Sequence, residues 1–267
     1  MTDLHLDVYG EGEAALFVHG TFGWGLDTFP HQLVLADEYR VILVDRRGFG
    51  DSPAADQVGW HGDMHDIARL LDAVGGAHLV GQSYGAVVGL LAAGLRPGAV
   101  RSLVAIEPVA FEVAKGREAV DAVIQAIKPV YKQAHLMTAS EFYRSWMLAG
   151  GRSDEQISED TASFTPKDWA AVEASRKERW PGDAPIPLDV LAAARFPKVL
   201  VRGARPPERF PGRETIARAH REVCEVIAQA IGGTVVVFKD SAHNPQMEEP
   251  ERFNSFLRSV WTSARHR

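Results

Sequence analysis

The sequence predicts an α/β fold: a mostly parallel central sheet with helices on both faces and a helical insertion. Three observations predict it. Short runs rich in β-branched residues alternate with longer segments whose apolar residues recur at helical spacing. Strands and helices in alternation form a parallel sheet buried on both sides. The alternation breaks between about residues 108 and 195, where helical spacing continues without strands. Finally, 267 residues with 46% hydrophobic and 24% charged content suit one large domain with an inserted part and are too few for two full-sized domains.

Taken in order, residues 4–9 are expected to add a hairpin strand closed by the Gly10-Glu11-Gly12 turn. Runs at 15–19, 40–44, 78–81, 100–106, 198–202 and 234–238 are the buried strands. Between them, Met64, Ile67, Leu70, Leu71 and Val74 fall on one helical face. Ala86, Val87, Leu90 and Leu91 do the same, as do Ile216, Val223, Ile227 and Ile231, and finally Phe253, Phe256, Leu257 and Val260. The core is therefore predicted at 1–107 and 196–267, with a helical cap at 108–195. Within the cap, Val120, Val123, Ile124, Ile127 and Tyr131 are helically spaced. Phe142 with Trp146, and Trp169 with Val172 and Arg176, are spaced likewise. Such aromatic content either covers a site or fills the cap's own small core.

Composition excludes several partners. With 29 basic and 35 acidic residues the net charge is −6, which argues against nucleic acid, since phosphate binding needs a basic surface. A single cysteine, Cys224, excludes an intramolecular disulfide framework. No apolar run approaches the roughly 18 residues of a membrane span. The opening Met1-Thr2-Asp3-Leu4-His5 lacks the basic-then-apolar shape of a secretory signal, so a cytoplasmic chain is expected.

Chemistry begins at Gly81-Gln82-Ser83-Tyr84-Gly85. Gly-x-Ser-x-Gly is a weak pattern alone. Here a strand precedes it and a helix follows, so Ser83 must sit on a very sharp turn, lifted above the sheet toward a helix N-terminus. The plainer reading, a serine that only caps the helix, has to ignore what comes next. His19-Gly20-Thr21-Phe22-Gly23 follows a strand directly. Acyl transfer builds charge on a carbonyl oxygen, and that charge needs preorganised N–H donors. The Thr21 amide is the expected first donor, with Phe22 the neighbouring alternative, and the Tyr84 amide is the second. His19 is read as a brace for this loop. His243, in Asp240-Ser241-Ala242-His243-Asn244-Pro245, follows the last strand and precedes the last helix. It therefore shares the C-terminal edge of the sheet with Ser83 and can act as general base.

The order of His-Gly loop, Asp45-Arg46-Arg47-Gly48-Phe49-Gly50-Asp51-Ser52, Gly-Gln-Ser-Tyr-Gly turn and late His243 resembles the α/β-hydrolase superfamily. More narrowly, it is similar to the branch with a serine nucleophile and a helical cap. The likeness spans nearly the whole chain. It implies fold, nucleophile and base, and says little of substrate. Related dehalogenases and epoxide hydrolases carry aspartate at the nucleophile position, so those activities are disfavoured. The chain departs from the superfamily at the third triad member. An aspartate usually follows the strand that here is 198–202, yet Gly203-Ala204-Arg205-Pro206-Pro207 brings no carboxylate before Glu208. Some members carry the acid one strand earlier, where this chain has Glu107-Pro108. The resemblance thus points to Ser83, Glu107 and His243, with Glu208 or a missing or unconventional acid as the alternatives and a cap role as the plainer reading of Glu107.

His61 and His65 are four apart on a helix start, but no third soft ligand accompanies them, so no metal is expected. No cofactor is expected either. The arginines between 202 and 221 alternate with glutamates and read as a solvated face. The predicted activity is hydrolysis of an ester or lactone with a mainly apolar substrate. Phe22 and Trp146 are candidate pocket residues, and the protein is expected to be a monomer or homodimer. Carbon–carbon bond hydrolysis of a ring-cleavage diketone and a ligand receptor with little turnover are the alternatives.

Overall fold

A computed structural model describes residues 4–205 and 214–264. Its strands are β1 (Leu6–Tyr9), β2 (Ala14–Val18), β3 (Arg40–Val44), β4 (Ala77–Gln82), β5 (Val100–Ile106), β6 (Lys198–Gly203) and β7 (Thr234–Phe238). They form one sheet in the order β1-β3-β2-β4-β5-β6-β7, parallel except for β1. Successive strand residues point to opposite faces, which explains why the central strands are apolar throughout. Leu16, Val18, Leu103 and Ala105 pack on one side; Ala15, Phe17, Val104 and Ile106 pack on the other. The first side is covered by α2 (Trp60–Ala73), α3 (Tyr84–Leu95) and α9 (Glu214–Ile231). The second is covered by α11 (Pro250–Ala264), whose Phe253, Leu257, Val260 and Trp261 are buried. The α/β architecture predicted from periodicity is the one observed.

The opening strand differs from expectation. Instead of forming a hairpin with β2, β1 pairs antiparallel with β3, Leu6 opposite Val44 and Tyr9 opposite Val41. Both sides of β2 are taken by β3 and β4. The link passes so close to Ala36 that a Cβ on Gly10, at φ +72°, would lie 2.1 Å from the Ala36 carbonyl oxygen.

Between β5 and β6 the described chain is helical: α4 (Glu118–Gln133), α5 (Ala139–Ala149), α6 (Asp154–Thr161), α7 (Pro166–Arg176) and α8 (Leu188–Ala193), with short 3₁₀ turns. The helix α6 escapes hydrophobic periodicity because it buries Ile157 alone. Its start is nonetheless written in a capping box, Ser153 with Gln156. One-turn helices α1 (Gly25–Thr28) and α10 (Pro245–Glu248) complete the fold. Among the described residues no helix is long and apolar enough to cross a membrane.

Candidate active site

The parallel strands all end at one edge. Residues 19–22 follow β2, Ser83 follows β4, Glu107 follows β5 and His243 follows β7, so the topology alone gathers them. Among the described residues, three non-glycine residues have positive φ: Phe22 at 69°, Ser83 at 55° and Glu107 at 41°. Such conformations cost about 1–3 kcal/mol each and persist where surroundings over-determine them.

At Ser83 those surroundings are tight. Its N–H donates to the Ile106 carbonyl at 2.8 Å, tying the turn to the end of β5. A Cβ on Gly81 would lie 2.3 Å from the Gly85 oxygen, and one on Gly85 would lie 2.1 Å from the Val18 oxygen. Only glycine lets strand, turn and helix approach this closely. Next door, Gln82 Nε2 donates to Asn244 Oδ1 at 2.9 Å, joining the serine turn to the His243 loop. That loop is held by Glu248, which accepts from the amides of Ala242 at 2.8 Å and Asn244 at 2.9 Å.

Glu107 is buried, and its Oε2 lies 2.6 Å from His243 Nδ1. A carboxylate only accepts, so Nδ1 carries the proton and Nε2 is left as the basic nitrogen. Oε1 accepts from Gly203 N–H at 2.9 Å. Burial pushes the Glu107 carboxyl up, but the neighbouring His220, the hydrogen bond from His243 and the Gly203 amide outweigh it and hold the group below the usual range. Glu208 lies outside the described residues.

His220 is a residue that sequence reading passed over. Its Nδ1 is 3.9 Å from Glu107 Oε2, and its ring centroid is 4.9 Å from that of His243. The available signal was a histidine on the apolar face of α9, between Ile216 and Val223. Ligand atoms of Glu107, His220 and His243 lie within 4.8 Å of one another, as do those of His5, Asp45 and Asp51. In the first group the carboxylate already holds the His243 proton; in the second, Asp45 accepts the Gly25 and Asp51 amides.

Ser83, Glu107, His220, His243 and Thr21 line one cavity. The helix α9 contributes Ile216 to its wall; the segment between β5 and β6 contributes Val109, Phe111, Ile127, Tyr131, Trp146 and Trp180. A polar cluster interrupts the apolar wall, with the Tyr131 hydroxyl set against the Thr21 hydroxyl and the Trp146 indole. Arg205, which the sequence placed on a solvated face, is exposed and also borders the cavity. Other aromatics between β5 and β6 pack on one another: Phe142 and Tyr143 are buried with Met147, and Phe164 and Trp169 lie against them. Phe22 belongs to this group. Its ring packs on Phe142, Tyr143 and Trp146, and it is not among the residues lining the cavity, which corrects its expected place in the pocket.

Of the proposed oxyanion donors, Tyr84 opens α3, where helix amides have no intrahelical acceptor. Its hydroxyl is buried, accepting from Trp60 N–H at 2.8 Å and donating to the Arg179 carbonyl at 3.2 Å. The Phe22 amide is committed to Ser175 Oγ at 3.0 Å, which favours Thr21 over Phe22 as the other donor. His19 braces the loop. Nδ1–H donates to the Gly20 carbonyl at 2.8 Å and Nε2 accepts from Arg46 N–H at 3.0 Å. Burial and the Arg46 charge hold its pKa well below the usual value, so it stays neutral.

Arg46 is fully buried and pairs with Asp63 at 2.9 Å and Glu178 at 2.6 Å. Two carboxylates against one guanidinium leave an excess buried negative charge. Burial, reinforced by Asp63 and countered by Arg46 and the Thr21 hydroxyl, pushes Glu178 up to about 7. For an acid raised this way, stability is fully present below the ordinary carboxylate value and is lost as pH rises through 7. Relative to Glu178→Gln, the native protein is therefore expected to lose roughly 3 kcal/mol of unfolding free energy between pH 4.5 and 8. Denaturant titrations of both proteins across that window measure it; a constant difference would contradict the assignment.

The alpha/beta hydrolase family model matches residues 15–256. The chain is 28% identical, over 93% of its length, to the dihydrolipoyllysine-residue acetyltransferase component of the acetoin cleaving system from Cupriavidus necator, of which it spans 63%. A putative carbamate hydrolase RutD from Variovorax paradoxus is 40% identical over 39% of this chain and 41% of its own. A thermophilic esterase from Thermogutta terrifontis has the same fold, with a TM-score of 0.67 over 98% of this chain and 93% of that one at 22% identity.

Proposed function

The chain belongs to the alpha/beta hydrolase family, and from that premise we propose that it is a serine hydrolase cleaving a carboxylic ester or lactone through an acyl-enzyme. One observation carries this reading. The 2.6 Å hydrogen bond from His243 to Glu107 stands at the wall of the cavity that Ser83 also lines, and it leaves Nε2 as the free base. Ser83 Oγ attacks the carbonyl carbon while His243 Nε2 takes its proton. The oxyanion is held by the amides of Thr21 and Tyr84. Glu107 stabilises the imidazolium without accepting its proton. His243 returns the proton to the leaving oxygen, and water, activated by the same nitrogen, then releases the acid and Ser83. No metal or cofactor takes part in this scheme. The partner is a small, mainly apolar molecule, in keeping with the wall of Val109, Phe111, Ile127, Trp180 and Ile216.

A panel of short and long esters, lactones, carbamates and a vinylogous diketone tests the reading. The carbamates enter because of the relative named for them. Turnover of esters or lactones with an acyl-enzyme burst is expected. Turnover of the diketone alone would replace ester cleavage by carbon–carbon bond hydrolysis, and a burst without turnover would make the protein a receptor. Trp146 supplies a second test. Trp146→Ala is expected to raise KM for bulky apolar esters several-fold more than for acetate esters, since the indole fills cavity wall rather than touching the carbonyl. Equal changes for both classes would remove Trp146 from the pocket.

A further inference from the structure

We propose that the helical insertion is a working part of the oxyanion hole: Ser175, in the last turn of α7, and Glu178, just past its end, are positioning residues that hold the 19–22 loop in the shape that presents the Thr21 amide. The inference rests on the acyl-enzyme reading above. Every residue of the loop has a fixed partner. Arg46 donates to the carbonyls of His19 at 3.1 Å and Gly20 at 2.9 Å. The Thr21 hydroxyl donates to Glu178 Oε2 at 3.0 Å, and the Phe22 amide donates to Ser175 Oγ at 3.0 Å.

Each partner is itself immobilised. Ser175 is fully buried, and its own O–H donates to the Ala171 carbonyl at 2.8 Å. The oxygen thereby turns lone pairs toward Phe22 and can only accept there. Glu178 is gripped by Arg46 at 2.6 Å. Phe22, at φ +69°, holds a backbone conformation that a bulky side chain does not adopt unaided. The Ser175 bond and the packing of its ring on cap aromatics supply the restraint. The partners lie 153 and 157 residues away, so the loop takes this shape only when the insertion is seated. Seating the cap and assembling the oxyanion hole become one event, and a cap that lifts would switch off chemistry as well as open the pocket.

The experiment compares Ser175→Ala, Thr21→Val, Glu178→Gln and the Thr21→Val/Glu178→Gln double variant. Each single variant is expected to lose about 10- to 100-fold in kcat with KM changed less than about twofold, because the interaction is made in the transition state. Affinity for a boronic acid that mimics the tetrahedral adduct should fall with kcat, while that for a ground-state competitor should not. Thr21 and Glu178 share a hydrogen bond, so the double variant should lose less than the product of the two single losses. Thr21→Val keeps the loop amide and tests the idea even if Ser175→Ala folds poorly. Additive losses, losses confined to KM, or full kcat in folded variants would overturn the proposal. Activity surviving Ser83→Ala would instead overturn the acyl-enzyme reading beneath it.

Discussion

Ser83→Ala is expected to lower turnover of the best ester by on the order of 10³-fold or more, and to abolish labelling by a fluorophosphonate probe, which should modify the native protein once. The magnitude follows from the way a nucleophile and its base act as a unit: without Oγ, the free base at His243 Nε2 has no hydroxyl proton to take. Stability should move the other way or not at all. Ser83 pays for its φ of 55°, and alanine keeps that strain while shedding the hydroxyl of a buried residue. A folded Ser83→Ala protein with residual activity near the native level, or one still labelled, would remove Ser83 from the chemistry.

Glu107→Gln is expected to cut kcat by roughly 10²- to 10⁴-fold in a folded protein. The amide can present either an oxygen or an N–H to His243. With its oxygen engaged by Gly203 N–H, which now meets Glu107 Oε1, the NH₂ would face Nδ1 and select the tautomer with its proton on the wrong nitrogen. The pH response should change as well. In the native protein the lowered carboxyl contributes stability above the ordinary carboxylate value, and that contribution is lost as pH falls through the lowered one. Removing the titration should flatten the acid limb of the stability curve, read by denaturant melts from pH 3 to 6. Unchanged turnover in Glu107→Gln, combined with a large loss in Glu208→Gln, would transfer the acid role to Glu208.

Local pattern was enough for much of this molecule. The strands Val100–Ile106 and Thr234–Phe238 could be bounded to the residue, because β-branched runs ended by turn residues are a local signal. The candidate residues Ser83, Glu107 and His243 were legible because each directly follows a strand, or a strand and a short turn, and parallel strands share one edge. Tertiary structure decided whatever depends on partners far apart in the chain. The hairpin expected of Leu6–Tyr9 gave way to pairing with β3, since no local feature of β2 announces that both its sides are taken. Aromatics of one helical spacing divided, Trp146 reaching the cavity wall and Phe142 the interior among the inserted helices, because burial depends on which element faces each side of the helix. His220 came beside Glu107 through the docking of α9, and Ser175 and Glu178 reached the His19–Phe22 loop through the folding back of the whole insertion. Periodicity and glycine placement record a residue's own backbone, whereas a hydrogen bond across 150 residues is recorded only in the packing that brings its two ends together.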